Sequence, residues 1–297
     1  MTCVTVTERW HRWDEMRYRV WARPAPDSAT PPLVLIHGYA ACVEQWGRFI
    51  RDIGPDVPIY AVDLIGFGAS SKPRDAPYGR EFYIAQLEHL RAAYGLGRVI
   101  PVGHSLGGML GIEWAADYPQ AVASVVAIAP GGLLAGDEFT PWQNALIRRV
   151  ATPLVTRALF SFVTHLPYRL LSAPAYADRA AMEPYTQTAL KRAMRSPGAV
   201  WSYSALVRNQ DAFNAAAHIA GVDCPVHIIR GTRDVQVSRT EIDTLMRQFP
   251  HATLTELEGG GHCVQEERSR EVAAEVRALL VADGLLEPVP APLMLAD

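Results

Sequence analysis

Residues 101–110, PVGHSLGGML, raise the question of whether the Gly-His-Ser-Leu-Gly at their centre is a nucleophile elbow. The bare Gly-x-Ser-x-Gly pattern arises by chance in about one chain in ten of this length, so its context decides. The apolar run RVIPVGH leads into Ser105, and the helix-like segment LGGMLGIEWAADY follows it. This strand–turn–helix setting exposes a serine on a sharp turn, and Gly103 and Gly107 leave room for that turn. The sequence therefore predicts Ser105 as a nucleophile.

Short runs rich in valine and isoleucine recur along the chain, namely LVLIHG, VPIYAVDL, RVIPVGH, VASVVAIA and PVHIIRGT. Helical patterns separate them at residues 43–53, 80–94, 106–117, 239–248 and 264–282. Runs without strict alternation are typical of strands buried on both faces, and strands that alternate with helices form parallel sheets. We therefore predict an α/β fold with a mostly parallel central sheet and helices on both faces. A hairpin is expected to precede it, at residues 4–10 and 15–21.

One long interval contains no predicted strand. From residue 131 to about 217 the sequence is helical in pattern, punctuated by prolines and rich in aromatic residues and methionine. We predict an inserted helical cap over the active edge of the sheet, the alternative being ordinary sheet-covering helices. The expected division is a core in two parts, residues 1–130 and 218–286, a cap at 131–217, and a proline-rich tail at 287–297.

Composition excludes several other classes of protein. The 28 Lys and Arg residues against 31 Asp and Glu give a net charge of −3, which argues against a nucleic-acid partner. The four cysteines, Cys3, Cys42, Cys224 and Cys263, form no CxxC pair, so neither a disulfide framework nor a metal site is predicted. The amino terminus lacks the apolar stretch of a signal peptide, and no apolar run approaches the ~20 residues of a membrane span. We expect a cytoplasmic protein without stable membrane insertion, and the oligomeric state is left open.

A nucleophilic serine needs a base to take its proton and an acid to orient that base. On a parallel sheet these groups are expected in the order serine, acid, histidine, each just after a later strand. Asp234 follows the strand-like HIIRG, and His262 lies in the glycine-rich turn LEGGGHCV after the next strand. We therefore predict Asp234 as the orienting acid and His262 as the base, with Asp211 and Asp137 as alternatives for the acid.

The reaction also needs backbone N–H groups directed at the developing oxyanion. Leu106 follows the nucleophile and is predicted as the first donor. The second is expected from the loop after LVLIHG, with Tyr39 preferred and Ala40 as the alternative. Trp46 and Trp142 are predicted to contact substrate beneath the cap.

Four further residues near these motifs are expected to be structural. His37 and His104 are predicted to bond to the backbone, and Asp63 to hold its own loop. Cys263 is expected to pack beside the base.

The chain resembles the α/β-hydrolase superfamily in HGYA, DLIGFGASSKP, GHSLGG, GTRDVQV and GGGHCV, which span most of the predicted core. The resemblance implies the α/β-hydrolase fold with a helical cap and the triad and oxyanion residues named above. The mechanism that the predicted triad and oxyanion donors would follow requires no metal or organic cofactor. Members that open epoxides or cleave carbon–halogen bonds carry aspartate at the elbow, so Ser105 favours the serine branch, which includes esterases and lipases.

The expected activity is therefore hydrolysis of a carboxylic ester with a small to medium, largely apolar acyl group, through an acyl-enzyme. A lactone, a thioester or a carbon–carbon bond is an alternative target. A ligand-binding, receptor-like protein on the same scaffold is the alternative from another class. No membrane-docking helix stands out in the sequence, so no jump in rate at an oil–water interface is expected.

Overall fold

The computed structural model describes residues 6–25, 28–131, 145–146, 149–163, 175–209, 221–249 and 251–288. Eight strands in these ranges form one sheet, in the spatial order β1-β2-β4-β3-β5-β6-β7-β8. They are β1 (Thr7–Trp13), β2 (Met16–Arg23), β3 (Leu33–Ile36), β4 (Ile59–Val62), β5 (Ile100–His104), β6 (Val125–Ile128), β7 (Val226–Gly231) and β8 (Thr253–Leu257). The pairs β1/β2 and β2/β4 are antiparallel, and the remaining pairs are parallel. The predicted mostly parallel α/β fold is confirmed.

The order of the central strands fixes where a site can form. The chain passes from β3 to its neighbour β4, and then crosses back over β3 to form β5 on the other side. Such a reversal opens a crevice at the carboxyl ends of the two strands that flank it. The loop after β3 and the turn after β5 therefore meet at one edge of the sheet.

Helices cover both faces of the sheet. They are α1 (Gly47–Asp52), α2 (Arg80–Ala93) and α3 (Leu106–Asp117), and after β7 they are α7 (Arg239–Met246), α8 (Val264–Glu267) and α9 (Ser269–Ala282). The helices α4 to α6 lie between β6 and β7 and are described below. The helices α1 and α9 pack together on one face, and α2 and α3 pack together on the other. The central strands β3 to β7 are buried along their whole length, as expected for strands covered on both sides.

Three predicted boundaries differ from the structure. The hairpin turns at Asp14, whose φ of 51° lies in the left-handed region. The strand β1 therefore ends at Trp13, not at residue 10, and β2 ends at Arg23, not at residue 21. Residues 43–53 divide into a 3₁₀ turn, Val43–Trp46, and α1. Residues 264–282 divide into α8 and α9 because Arg268 leaves the helical conformation, with φ −122° and ψ 40°.

The described part of the interval between β6 and β7 is helical. It contains α4 (Pro153–Val163), a 3₁₀ turn (Arg179–Ala181), α5 (Pro184–Arg195) and α6 (Ala199–Arg208). Both α4 and α5 pack against α6. The division into core, cap and tail stays a prediction. Within the residues whose structure is given, no helix is long and apolar enough to cross a bilayer.

Candidate active site

Ser105 lies on a strained turn between β5 and α3. Its φ of 52° and ψ of −118° are unusual for a residue with a side chain and cost on the order of 1–3 kcal/mol. The turn is held by the Ser105 amide, which donates to the carbonyl of Ile128 at 2.9 Å. A Cβ at Gly103 would overlap the Gly107 carbonyl, and a Cβ at Gly107 would overlap the carbonyl of Ile36. Glycine is therefore required on both sides of the serine.

Asp234 and His262 meet at the ends of β7 and β8. The His262 Nδ1–H donates to Asp234 Oδ2 at 2.9 Å, and both side chains are buried. The other carboxylate oxygen accepts the amides of Gln236 at 2.8 Å and Val237 at 3.0 Å. Burial acts to raise the pKa of Asp234, but these hydrogen bonds and the neighbouring imidazole outweigh it and lower that pKa. With its proton on Nδ1, His262 has Nε2 free to accept one.

Glycines allow the two loops that carry this pair to touch. The Arg233 amide donates to the Gly260 carbonyl at 2.8 Å, and the Gly259 amide donates to Thr232 Oγ1 at 2.9 Å. A Cβ at Gly231 would overlap the Gly260 carbonyl. The glycine run before His262 thus fits the loop against the end of β7.

His104 joins the nucleophile turn to the histidine loop. Its Nε2–H donates to the His262 carbonyl at 3.0 Å, and the two ring centroids are 4.7 Å apart. Burial, followed by the neighbouring His262, lowers the pKa of His104 to about 3, so this imidazole stays neutral. His37 bonds to the backbone as well, through Nδ1 to the Gly38 carbonyl and through Nε2 from the Leu64 amide. The predicted backbone bonding of both histidines is confirmed.

The loop after β3 runs against the nucleophile turn. A Cβ at Gly38 would lie 3.2 Å from the Cβ of Ser105 and 3.0 Å from His104 Nδ1. Tyr39, the next residue, is the predicted oxyanion donor of this loop. Leu106 opens α3, so its N–H is one of the helix's first amides and has no intrahelical acceptor. Both predicted donors therefore belong to segments that meet at Ser105.

Four aromatic side chains, which we call the aromatic wall, extend from this loop to the helices α4 and α6. They are Tyr39, Phe67, Phe160 and Tyr203. The Tyr203 ring contacts the other three nearly edge-on, at 5.5, 5.0 and 4.9 Å for Tyr39, Phe67 and Phe160. The Tyr39 hydroxyl also donates to the Tyr203 carbonyl at 3.2 Å. Phe67 was not among the residues predicted for the site, although it lies within DLIGFGASSKP, one of the motifs that carry the family resemblance.

One predicted substrate contact needs correction. Trp46 is fully buried in the core on the α1/α9 face, where its ring meets Phe49 edge-on at 5.5 Å. This placement indicates a packing role in place of substrate contact. Trp142, Asp137 and Asp211 lie outside the described residues.

Asp63 holds its loop as predicted. Its carboxylate accepts the amides of Val43 at 2.8 Å and Ala69 at 2.7 Å, and it pairs with Arg19 at 2.7 Å. This network fixes the segment that carries Phe67. Among the residues whose placement is described, no three His, Cys, Asp or Glu side chains gather as a metal site.

A buried carboxyl group ties α8, just behind His262, to the segment before α5. Glu266 is 1% exposed, accepts the Tyr176 hydroxyl, and lies 3.4 Å from the Thr186 hydroxyl. The Cys263 amide donates to the Ala175 carbonyl at 2.9 Å, and the buried Cys263 packs here as predicted. Burial raises the pKa of Glu266 to about 7.

The raised pKa of Glu266 predicts a pH-dependent stability. From its ordinary value of 4.5 up to about 7, the folded protein holds a proton that the unfolded chain releases. The free energy of unfolding should therefore fall with rising pH, by about 1.4 kcal/mol per unit across that window. Glutamine mimics the protonated form, so the stability of Glu266→Gln should not fall in this window. Urea unfolding should therefore show its free energy of unfolding rising relative to that of the wild type between pH 5 and pH 8.

The matched control is Glu15→Gln, at a glutamate whose side chain is 93% exposed. The Glu15→Gln substitution should change the free energy of unfolding by the same amount at pH 5 and at pH 8. An unchanged difference between Glu266→Gln and the wild type at pH 5 and pH 8 would show that Glu266 is ionised throughout.

Comparison with known proteins places this geometry in context. The model of the alpha/beta hydrolase family matches residues 33–275, which include Ser105, Asp234 and His262. The 1-acylglycerol-3-phosphate O-acyltransferase ABHD5 of Rattus norvegicus is 37% identical over 108 residues, 35% of this chain and 31% of that protein. This chain thus spans about a third of the length of the first relatives that it matches.

Two other similarities extend over most of the chain. Lipase 1 of Psychrobacter immobilis is 26% identical over 251 residues, which are 84% of this chain and 77% of that protein. The crystal structure of the enol-lactonase from Burkholderia xenovorans LB400 superposes with a TM-score of 0.75 and 18% identity, over 92% of this chain and 100% of that one. The latter similarity concerns the fold alone.

Proposed function

The chain belongs to the alpha/beta hydrolase family, and on that premise we propose that it hydrolyses carboxylic esters through Ser105, His262 and Asp234. The observation that carries the proposal is the buried Asp234–His262 hydrogen bond, which leaves His262 Nε2 as an acceptor. The nucleophile turn reaches this pair through His104, the residue before Ser105, whose ring centroid lies 4.7 Å from that of His262, and Ser105 itself is held at positive φ. A strained serine next to an oriented imidazole is the arrangement that nucleophilic catalysis requires.

The proposed mechanism has two halves. In the first, His262 Nε2 takes the Ser105 hydroxyl proton while Oγ attacks the acyl carbon, and the amides of Tyr39 and Leu106 stabilise the oxyanion. His262 then gives the proton to the departing alcohol, which leaves an acyl-enzyme. In the second, His262 takes a proton from water as the water attacks the acyl carbon, and it returns that proton to Ser105 as the acid leaves.

The aromatic wall supports an apolar acyl group as the substrate's main feature through Tyr39, its one partly exposed member, with the buried Phe67, Phe160 and Tyr203 packed behind it. Tyr39 carries both one proposed oxyanion amide and a ring of this wall, so an acyl chain bound at Ser105 would extend along it. The relatives named as a lipase and an acyltransferase are consistent with acyl chemistry. A lactone remains the second candidate, because a ring ester requires the same attack by Ser105.

A cytoplasmic location is part of the same proposal. Cys42, Cys224 and Cys263 are free thiols, and Cys42 and Cys263 are buried. Unpaired cysteines are typical of a reducing compartment.

Covalent labelling tests the proposed chemistry against the receptor-like alternative. A fluorophosphonate should modify Ser105 in the wild type with one-to-one stoichiometry, and a carboxylic ester should turn over. Parallel panels of p-nitrophenyl esters, lactones and thioesters would then rank the substrate classes. A protein that binds these compounds but is neither labelled nor turns them over would be a binding protein on the hydrolase scaffold.

Acyl length should affect the rate in a defined way. Each methylene buried along the aromatic wall gains up to about 0.8 kcal/mol, nearly fourfold in kcat/KM if fully expressed in the transition state. Activity should rise from acetyl towards medium-length p-nitrophenyl esters, measured below their solubility limits, and fall once the site is full. Phe160→Ala should reduce kcat/KM for the medium chains more than for acetyl. A wild type that prefers acetyl would contradict the apolar site.

A further inference from the structure

The helix α4 exposes an apolar face to solvent. Leu154, Leu159 and Phe162 are 77%, 54% and 66% exposed, and Val155 is exposed as well. Residues four apart share a face of a helix, so positions 154, 158 and 162 form one stripe. The buried Thr156 and Phe160 lie on the opposite side. The sequence predicted no membrane-docking helix, and the exposed apolar face of α4 departs from that prediction.

Basic residues lie near this face. Arg157 is exposed on α4 beside the stripe, and Arg149 is exposed shortly before the helix begins. The exposed Arg208 of α6 donates to the Ala151 carbonyl at 2.8 Å, also just before α4. From residue 139 to 177 the sequence contains four arginines and neither aspartate nor glutamate, although the whole chain has a net charge of −3. Among the described residues, Arg157 within α4 and Arg149 and Arg208 near its amino-terminal end therefore give this apolar helix basic neighbours.

The inward side of α4 reaches the candidate active site. Phe160 belongs to the aromatic wall and meets the Tyr203 ring edge-on at 4.9 Å. Tyr203 contacts Tyr39, which follows the glycine packed against Ser105. One helix therefore separates the proposed acyl site from the apolar surface outside.

We propose that the outer face of α4 docks on a lipid surface that carries anionic head groups. Leu154 and Phe162 enter the interface, while Arg149 and Arg157 lie against the lipid phosphates. The 11 residues of α4 lie in the plane of the membrane, since a span needs about 20. Docking itself is independent of catalysis. The further step, that lipid-borne esters reach Ser105 past the aromatic wall, rests on the proposed function.

Charge favours a lipid surface over a second copy of the chain. Two-fold pairing through α4 would bring the same face of each copy together, and with it Arg149 and Arg157 of both. Like charges placed across an interface oppose association, whereas anionic lipids attract the same arginines.

Vesicle flotation tests the docking directly, with the Ser105→Ala protein so that the lipid stays intact. Vesicles of phosphatidylcholine with 30 mol % phosphatidylglycerol, a chosen composition of roughly the strength that anionic leaflets present, are compared with pure phosphatidylcholine. The partition coefficient should be at least about tenfold higher on the anionic vesicles, and it should fall as NaCl screens the attraction. Each arginine contributes about fivefold, so Arg149→Gln with Arg157→Gln should weaken binding about 25-fold.

Two further variants separate the contributions. Leu154→Ser with Phe162→Ser should abolish flotation without unfolding the protein, because both side chains are already exposed. The matched control is Trp10→Ser with Arg9→Gln on the exposed strand β1, which should float like the parent. Thermal unfolding of each variant verifies that the fold is kept.

Each outcome decides the proposal. Equal binding to both kinds of vesicle, or no binding to either, would overturn it. So would sedimentation velocity showing a dimer that Leu154→Ser with Phe162→Ser dissociates. If the wild-type protein floats on anionic vesicles but hydrolyses no ester, the docking proposal stands and the proposed function is refuted.

Discussion

Replacing Ser105 by alanine should lower kcat for ester hydrolysis by about a millionfold, because the members of a triad act as a unit and its loss leaves only binding and oxyanion stabilisation. Alanine keeps the Cβ and therefore the same constraint at the turn, whose φ is 52°. The variant should thus fold like the wild type. Initial rates with a p-nitrophenyl ester, together with urea unfolding, measure both quantities.

Ser105→Gly separates the strain of the turn from its chemistry. Glycine tolerates positive φ, so the variant recovers strain on the order of 1–3 kcal/mol and loses about 0.5–1 kcal/mol to extra backbone freedom. It should be as inactive as Ser105→Ala and more stable by about 1 kcal/mol. A folded Ser105→Ala protein that retains more than about a tenth of the wild-type kcat would refute the nucleophile.

The fold was predictable where local sequence determines local structure. The buried strands are short runs of β-branched residues, and the elbow needs glycine where any Cβ would overlap the backbone. The ends of the helices were less predictable. The sequence pattern runs on through residues 264–282, and only the conformation of Arg268 divides it into two helices.

The Asp234–His262 pair was predictable because parallel strands deliver their following loops to one edge of a sheet. The two residues are 28 positions apart in the chain, yet their hydrogen bond follows from the placement of β7 and β8 side by side. The role of Trp46 was not predictable, because an apolar pocket and a core accept tryptophan equally well. The structure places it with Phe49 in the core.

Two other features depend on contacts distant in sequence. Glu266 meets Tyr176 across 90 residues, and no local pattern in a charged helix indicates that one glutamate is buried. The face that α4 turns outward is fixed by Phe160 packing on Tyr203. Since α4 carries apolar residues on both sides, the sequence alone could not distinguish its core side from an exposed one.

Asp234→Asn should lower kcat by on the order of 10⁴ while preserving the fold, by analogy with the serine proteases. The amides of Gln236 and Val237 both donate to Asp234 Oδ1, so an asparagine must keep its carbonyl oxygen there. Its NH₂ group then faces His262 Nδ1, where the aspartate oxygen Oδ2 accepts the Nδ1–H hydrogen bond at an N···O distance of 2.9 Å. An NH₂ group favours the tautomer protonated on Nε2, which cannot take the Ser105 proton.

The measurement is kcat beside the fluorophosphonate labelling rate, because both depend on proton removal from Ser105. Asp243→Asn, at a partly exposed aspartate on α7, is the matched control and should leave both rates unchanged. Asp211→Asn and Asp137→Asn test the two alternative acids. Suppose that Asp234→Asn hardly changes kcat and that one of these two substitutions lowers it strongly. The hydrogen bond at His262 then serves the structure of the loops, and the catalytic acid is the other aspartate.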